Sequence, residues 1–162
     1  RGLCSVDWPG RWERLWLNDG KQEVILDATH NEEGARMLDE NLSGLWVERG
    51  QKPVVVVGAL GKDRAVSLMK VVAKHAASVL LVSPAQPRAL PPEELRECLP
   101  EGFRGDVGVA RVSDLFGKDA FRRNFPEGQP VVVTGSIYLI GEVCDLVKSP
   151  TLQDQQSLQD VV

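Results

Sequence analysis

The chain has 162 residues, 43% of them apolar and 26% charged, with a net charge of −4. That length suffices for one domain with a sizeable core, and the acidic balance without a basic stripe excludes a nucleic-acid or membrane-surface role. Every apolar run is too short to span a bilayer. Three cysteines, Cys4, Cys98 and Cys144, lie far apart without C-x-x-C spacing. They read as free thiols in a reducing compartment, not as a zinc site or disulfide framework, and the localisation implied is cytoplasmic.

The opening residues 1–8 read as a linker. An N-terminus without Met or a signal-peptide pattern suggests a piece of a longer chain. Pro9-Gly10 is a turn signal. Trp12 to Leu17 alternates as a first strand, and Asn18-Asp19-Gly20 turns it back antiparallel onto Glu23 to Ala28. Ala35, Leu38, Leu42 and Leu45 then recur at helical spacing from Glu32 to Glu48, closed by Arg49-Gly50. Val54 to Val57 reads as a strand buried on both faces.

A helix with Ala65, Leu68, Met69, Val72 and Ala76 on one face follows, and then a strand at Val79 to Val82. His75 stands near that helix's C-terminus, where a positive charge suits the dipole. A Pro-rich loop carrying Arg88 leads to a short helix from Pro92. Val107 to Val112 reads as a weaker strand, and Ser113 to Arg123 as one helix capped by Ser113. Gln129 to Thr134 forms the last strand, with Gly135-Ser136 turning into a helix through Tyr138, Ile140, Val143 and Leu146. Residues 149–162 read as a disordered tail.

Alternation of strands and helices predicts an α/β fold. The expected form is a Rossmann-like, mostly parallel sheet with helices on both faces and an antiparallel edge strand from the N-terminal hairpin. Ligands of such sheets sit at the carboxyl ends of the strands, which draws attention to Asp27, His30 and Asn31 after the second strand. Asp27 suits ribose hydroxyls, His30 can bind an anion when protonated, and Asn31 is a natural helix N-cap. Gly58 to Asp63 is not a Walker A loop, since Val56 stands where the first Gly belongs and Asp63 replaces the Ser or Thr that holds Mg²⁺. Lys62 is left as an exposed cation at a strand end. The four tryptophans, Trp8, Trp12, Trp16 and Trp46, read as core or a domain-contact surface.

Four blocks occur in one order: Pro9-Gly10-Arg11-Trp12-Glu13, Leu26-Asp27-Ala28-Thr29-His30-Asn31, Gly58-Ala59-Leu60-Gly61-Lys62-Asp63, and Val133-Thr134-Gly135-Ser136-Ile137-Tyr138-Leu139-Ile140-Gly141-Glu142-Val143. Together they resemble the C-terminal domain of folylpolyglutamate synthase/dihydrofolate synthase, in the Mur ligase superfamily, with residues 9–148 as that domain. The resemblance implies an ATP-dependent ligase in which a carboxylate of dihydropteroate or of a folate is activated as an acyl phosphate and attacked by the amine of L-glutamate. ATP and Mg²⁺ are the implied cofactors, with Mg²⁺ and the phosphate-binding loop on an N-terminal domain of the same chain, so that the fragment by itself is expected to be inactive.

Carried over by position, Arg11, Asp27 and Asn31 would bind ATP, and His30, Lys62 and Ser136 would bind glutamate. Neither catalytic residues nor a metal site are expected in this lobe, nor a nucleic-acid or membrane partner. The chain departs from the family at Thr29, Glu32 and Gly61, where Ala, Pro and an acid are usual. Two alternatives are a cell-wall precursor ligase lobe using another amino acid and a stand-alone α/β binding domain.

Overall fold

The computed structural model describes residues 11–117 and 120–148, with the side chains of Arg122 and Lys148 left aside. The expected linker over 1–8, the Pro9-Gly10 turn, Cys4, Trp8 and the tail over 149–162 lie outside the described residues. The elements run β1 (Glu13–Leu17), β2 (Gln22–Asp27), α1 (Glu32–Arg49), β3 (Val54–Gly58), α2 (Lys62–His75), β4 (Ser78–Leu81), α3 (Pro92–Glu97), β5 (Asp106–Val109), α4 (Val112–Phe116), α5 (Ala120–Asn124), β6 (Val131–Gly135) and α6 (Ile137–Lys148). One six-stranded sheet has the order β1-β2-β6-β3-β4-β5. Only the β1–β2 pair is antiparallel, as the Asn18-Asp19-Gly20 hairpin signal requires. All three turn residues take positive φ, between 54° and 79°, the left-handed conformation that Asn, Asp and Gly tolerate best.

Alternate side chains of the buried strands feed two cores. Val55, Val57 and Val132 meet Leu38, Leu42, Leu68, Met69 and Leu95 from α1–α3 on one face. Val54, Val56, Val131 and Val133 meet Leu115, Phe116, Phe121, Leu139 and Val143 from α4–α6 on the other. The helices therefore cover both faces, as expected. Polar ties reinforce the first layer. Buried Glu23 on β2 takes Arg14 of β1 at 3.1 Å and Arg49 of α1 at 2.7 Å. Asp39 of α1 meets Lys74 at 3.0 Å and the Nε2 of buried His75 at 2.5 Å, both on α2.

The expected single helix over Ser113 to Arg123 is corrected. The chain instead forms α4 and α5, and Ser113 lies inside α4, where Arg111 is the N-cap residue and no side chain caps the helix. Gly117 leaves helical geometry at ψ 164° while its N–H still reaches the Ser113 carbonyl at 3.0 Å. Core packing explains the break. Phe116 and Phe121, five residues apart, would diverge by about 140° around one continuous helix. Interrupting it brings Phe116, Phe121 and Phe125 together with ring centroids 4.7–5.8 Å apart.

The expected strand over Val107 to Val112 is likewise shorter. It ends at Val109, which is exposed at the sheet edge, and Val112 becomes a buried residue of α4. Cys98 is a buried free thiol, whereas Cys144 on α6 is disulfide-bonded. The reading of free thiols throughout is thus corrected at Cys144, because spacing along the chain does not exclude bridging of residues that folding brings together. Trp16 and Trp46 are half exposed, lying under Arg49 at 5.3 Å and Lys52 at 5.0 Å, while Trp12 packs partly against the first core.

β3 and β6 end in register at Gly58 and Gly135. Gly135 has φ +119°, and a Cβ there would stand 1.9 Å from the Gly58 carbonyl oxygen. Only glycine fits. Gly135→Ala is expected to destabilise the fold by about 3 kcal/mol or more, measured by denaturant unfolding.

Candidate functional site

The helices after β2 and β3 cover one face of the sheet, whereas α6, after the intervening β6, covers the other. Connections that depart in opposite directions from neighbouring strands leave a crevice outside their carboxyl ends, where such sheets bind ligands. Two cavities lie at the ends of β2, β6 and β3. One, of about 280 Å³, is lined by Thr29 and His30 after β2, by Ala59, Leu60, Arg64 and Leu68 after β3, and by Gly135, Ser136, Ile137 and Tyr138 after β6. The other, of about 210 Å³, is lined by Arg11, Trp12, Asp27, Ala28, Thr29, His30, Asn31, Glu33, Gly34, Met37 and Asn41. Thr29 and His30 belong to both.

Five of the six residues singled out in the sequence line these cavities: Arg11, Asp27 and Asn31 the smaller, Ser136 the larger, and His30 both. Lys62 lines neither. It opens α2, exposed, 3.8 Å from the Glu97 carboxylate.

Asp27 ends β2 partly buried, and the hydroxyl of Thr29 donates to its Oδ1. Desolvation raises its carboxyl above the ordinary 3.8, opposed by that hydroxyl, by the Trp12 backbone N–H and by the Arg11 charge. Trp12 adopts φ +52°, a strained conformation for a bulky residue, and its backbone N–H donates to the carboxylate. Asn31 caps α1, accepting from Gly34 N–H at 2.7 Å through Oδ1. That is the local role its residue type predicts, and it leaves the Asn31 amide as donor. His30 is exposed, with Nδ1 3.4 Å from the Ala28 carbonyl oxygen.

Ser136 is held from two sides. Its N–H donates to the Gly58 carbonyl at 2.9 Å, and its Oγ accepts from Tyr138 N–H at 3.1 Å. The buried hydroxyl thus caps α6 while its own proton stays available as a donor at the helix's positive end. Across the cavity α2 begins at Gly61 without any side-chain cap, so the first-turn N–H groups present a second positive end.

Arg64 is the residue that reading the sequence missed. The available signal was its spacing: Arg64 stands four residues before Leu68 on α2 and shares its face, while Lys62, two residues earlier, points about 200° round the helix.

These elements define a Rossmann-like α/β domain whose candidate binding residues gather at the carboxyl edge of a mostly parallel sheet. Residues 10–137 match the pattern of the family "Mur ligase, glutamate ligase domain". The chain belongs to that family, at the C-terminal lobe of its ligases. It is 32% identical over 144 residues to the folylpolyglutamate synthase of Lacticaseibacillus casei, covering 88% of this chain and 30% of that protein. Among solved structures, Mycobacterium tuberculosis folylpolyglutamate synthase complexed with ADP and AMPPCP aligns with a TM-score of 0.68 at 25% identity, covering 90% of this chain and 34% of that one. A bifunctional folylpolyglutamate synthase/dihydrofolate synthase with Mn, AMPPNP and L-glutamate bound shares the fold, with a TM-score of 0.63 at 21% identity over 86% of this chain and 31% of that one. The chain therefore spans about a third of the length of these relatives.

The raised Asp27 carboxyl carries a stability consequence. The folded state keeps this proton to higher pH than the unfolded chain, so ionising Asp27 costs stability. That cost is absent below the ordinary carboxylate value and complete once pH has passed the raised one. Asp27→Asn is expected to melt above the unsubstituted protein at neutral pH, with the gap narrowing as pH falls toward 3.8. Calorimetry across that range checks it.

Proposed function

We propose that this chain is the glutamate-delivering lobe of an ATP-dependent folate ligase, and that its two cavities serve nucleotide and amino acid respectively. One observation carries the reading: the Thr29-His30 turn forms a shared wall between a cavity holding Arg11 and Asp27 and a cavity holding Ser136. The relatives support it, being folylpolyglutamate synthases, one bound to ADP and AMPPCP and another to Mn, AMPPNP and L-glutamate. The reaction assigned is attack by the amine of L-glutamate on an acyl phosphate of dihydropteroate or of a folylpolyglutamate, with an amide bond formed and phosphate released.

On this reading Arg11 neutralises the ATP phosphates from the rim of the cleft. A guanidinium suits that task because it is permanently charged and forked. Asp27 accepts from the ribose hydroxyls. The Thr29 hydroxyl and the Trp12 backbone N–H hold the carboxylate in place at the cavity wall. Asn31 offers its amide beside them. His30 and Ser136 receive the amino acid, Ser136 through its hydroxyl proton. Lys62 joins only on leaving Glu97, an exposed contact worth at most about 1 kcal/mol.

Catalysis here is positioning and charge neutralisation, with closure against the rest of the chain excluding water. Among the described residues no group of three or more His, Cys, Asp or Glu is placed to hold a metal. We assign Mg²⁺ mainly to the P-loop domain that completes the enzyme, as the family resemblance implies. The location proposed is the cytoplasm; among the described residues no helix is long and apolar enough to cross a membrane.

Kinetics of the full-length protein test these assignments. Arg11→Ala is expected to raise the KM for ATP about tenfold, a loss of about 1.4 kcal/mol. Ser136→Ala is expected to raise the KM for glutamate by a similar factor and to lower stability by about 1 kcal/mol through the lost cap. Unchanged constants in both variants overturn the assignments. The isolated 162-residue chain is expected to show neither ATPase nor ligase turnover, and turnover by the pure fragment contradicts its role as a lobe.

A further inference from the structure

We propose that Arg64 is a substrate-binding residue of the larger cavity, holding a carboxylate of the incoming amino acid. The inference rests on the ligase reading and adds a residue and a ligand group to it.

Arg64 is the one permanently charged side chain on the lining of the 280 Å³ cavity, and no Asp or Glu lines it. Arg14, Arg36 and Arg49 already hold carboxylates; Arg64, like several other exposed arginines, does not, and among those it is the one on this cavity's lining. Arg64 makes no ion pair or hydrogen bond with any described residue. An unpaired guanidinium facing a concave surface offers five donors in a fork that matches a carboxylate.

The surroundings favour the same ligand. The uncapped start of α2 leaves N–H donors on Arg64's own turn, with Asp63 beside them but off the cavity lining, and the Ser136 hydroxyl at the start of α6 supplies a further donor. Between them Ala59, Leu60, Leu68 and Ile137 give apolar wall, which suits methylene groups more than a second charge. The volume lies just below the roughly 300–1,000 Å³ of drug-sized pockets. A small acid with a short aliphatic chain fits this combination.

The test uses the full-length protein with Arg64→Gln and Arg64→Lys, assayed at varied L-glutamate and, separately, at varied ATP. Because Arg64 is exposed, both variants are expected to melt with the parent. Arg64→Gln is expected to raise the glutamate KM about tenfold or more, with the ATP KM and the limiting rate at saturating glutamate little changed. Arg64→Lys is expected to recover part of that loss, keeping the charge without the fork. A folded Arg64→Gln enzyme with parental glutamate KM overturns the proposal and leaves the ligase reading standing. So does a variant whose ATP and glutamate constants deteriorate together, which marks a structural role. A parent protein without glutamate-dependent turnover overturns the ligase reading and this proposal with it.

Discussion

The architecture of the site depends on one steric constraint, the contact between the ends of β3 and β6 at Gly58 and Gly135. With no Cβ on Gly135, the Gly58 carbonyl can accept from the Ser136 N–H at 2.9 Å. That bond fixes where α6 begins. It sets the Ser136 hydroxyl on the carboxyl edge of the sheet, opposite the start of α2, and so forms the floor of the larger cavity. Gly58 is itself confined, since a Cβ there would meet the Val82 carbonyl oxygen at 2.9 Å and Pro84 at 3.0 Å. The residues that carry no side chain are thus the ones that decide where the functional side chains can stand.

A second constraint is topological. β6 is last in the chain yet central in the sheet, between β2 and β3. Its helix leaves to the face opposite α1 and α2, which opens the crevice at the three strand ends. The hairpin then brings β1 alongside β2, placing Arg11 and Trp12 beside Asp27 at the same edge. Groups scattered from Arg11 to Ser136 converge because parallel strands all end on one side, and because the antiparallel β1 begins where β2 finishes.

Much of this was legible in the sequence because it is written in local signals. The Val54 and Val131 runs announce strands buried on both faces, Asn18-Asp19-Gly20 announces a hairpin, and Asn31 and Gly50 bracket α1 with the caps their types favour. Asp27 and His30 could be singled out because they stand at and just beyond the end of a strand, and Ser136 through the resemblance of its block to the family. What was not legible depended on tertiary packing. The break at Gly117 serves a cluster of three Phe rings whose spacing does not announce it. Strand order is set by long-range contacts, not by neighbours in sequence. Lys62 and Arg64 are both cations after β3, and only the helical phase of α2 separates the one on the cavity wall from the one beside Glu97.

The central claim is that the two adjoining cavities receive different ligands, a nucleotide beside Arg11 and Asp27 and an amino acid beside Ser136. The most direct measurement is a crystal structure of the full-length protein with a non-hydrolysable ATP analogue and L-glutamate. The expected result is ribose within hydrogen-bonding distance of Asp27 and a glutamate carboxylate or amine at the Ser136 hydroxyl, with the Thr29-His30 turn between the two molecules. Glutamate bound away from the ends of β3 and β6, or nucleotide bound without contact to Asp27 and Arg11, contradicts it.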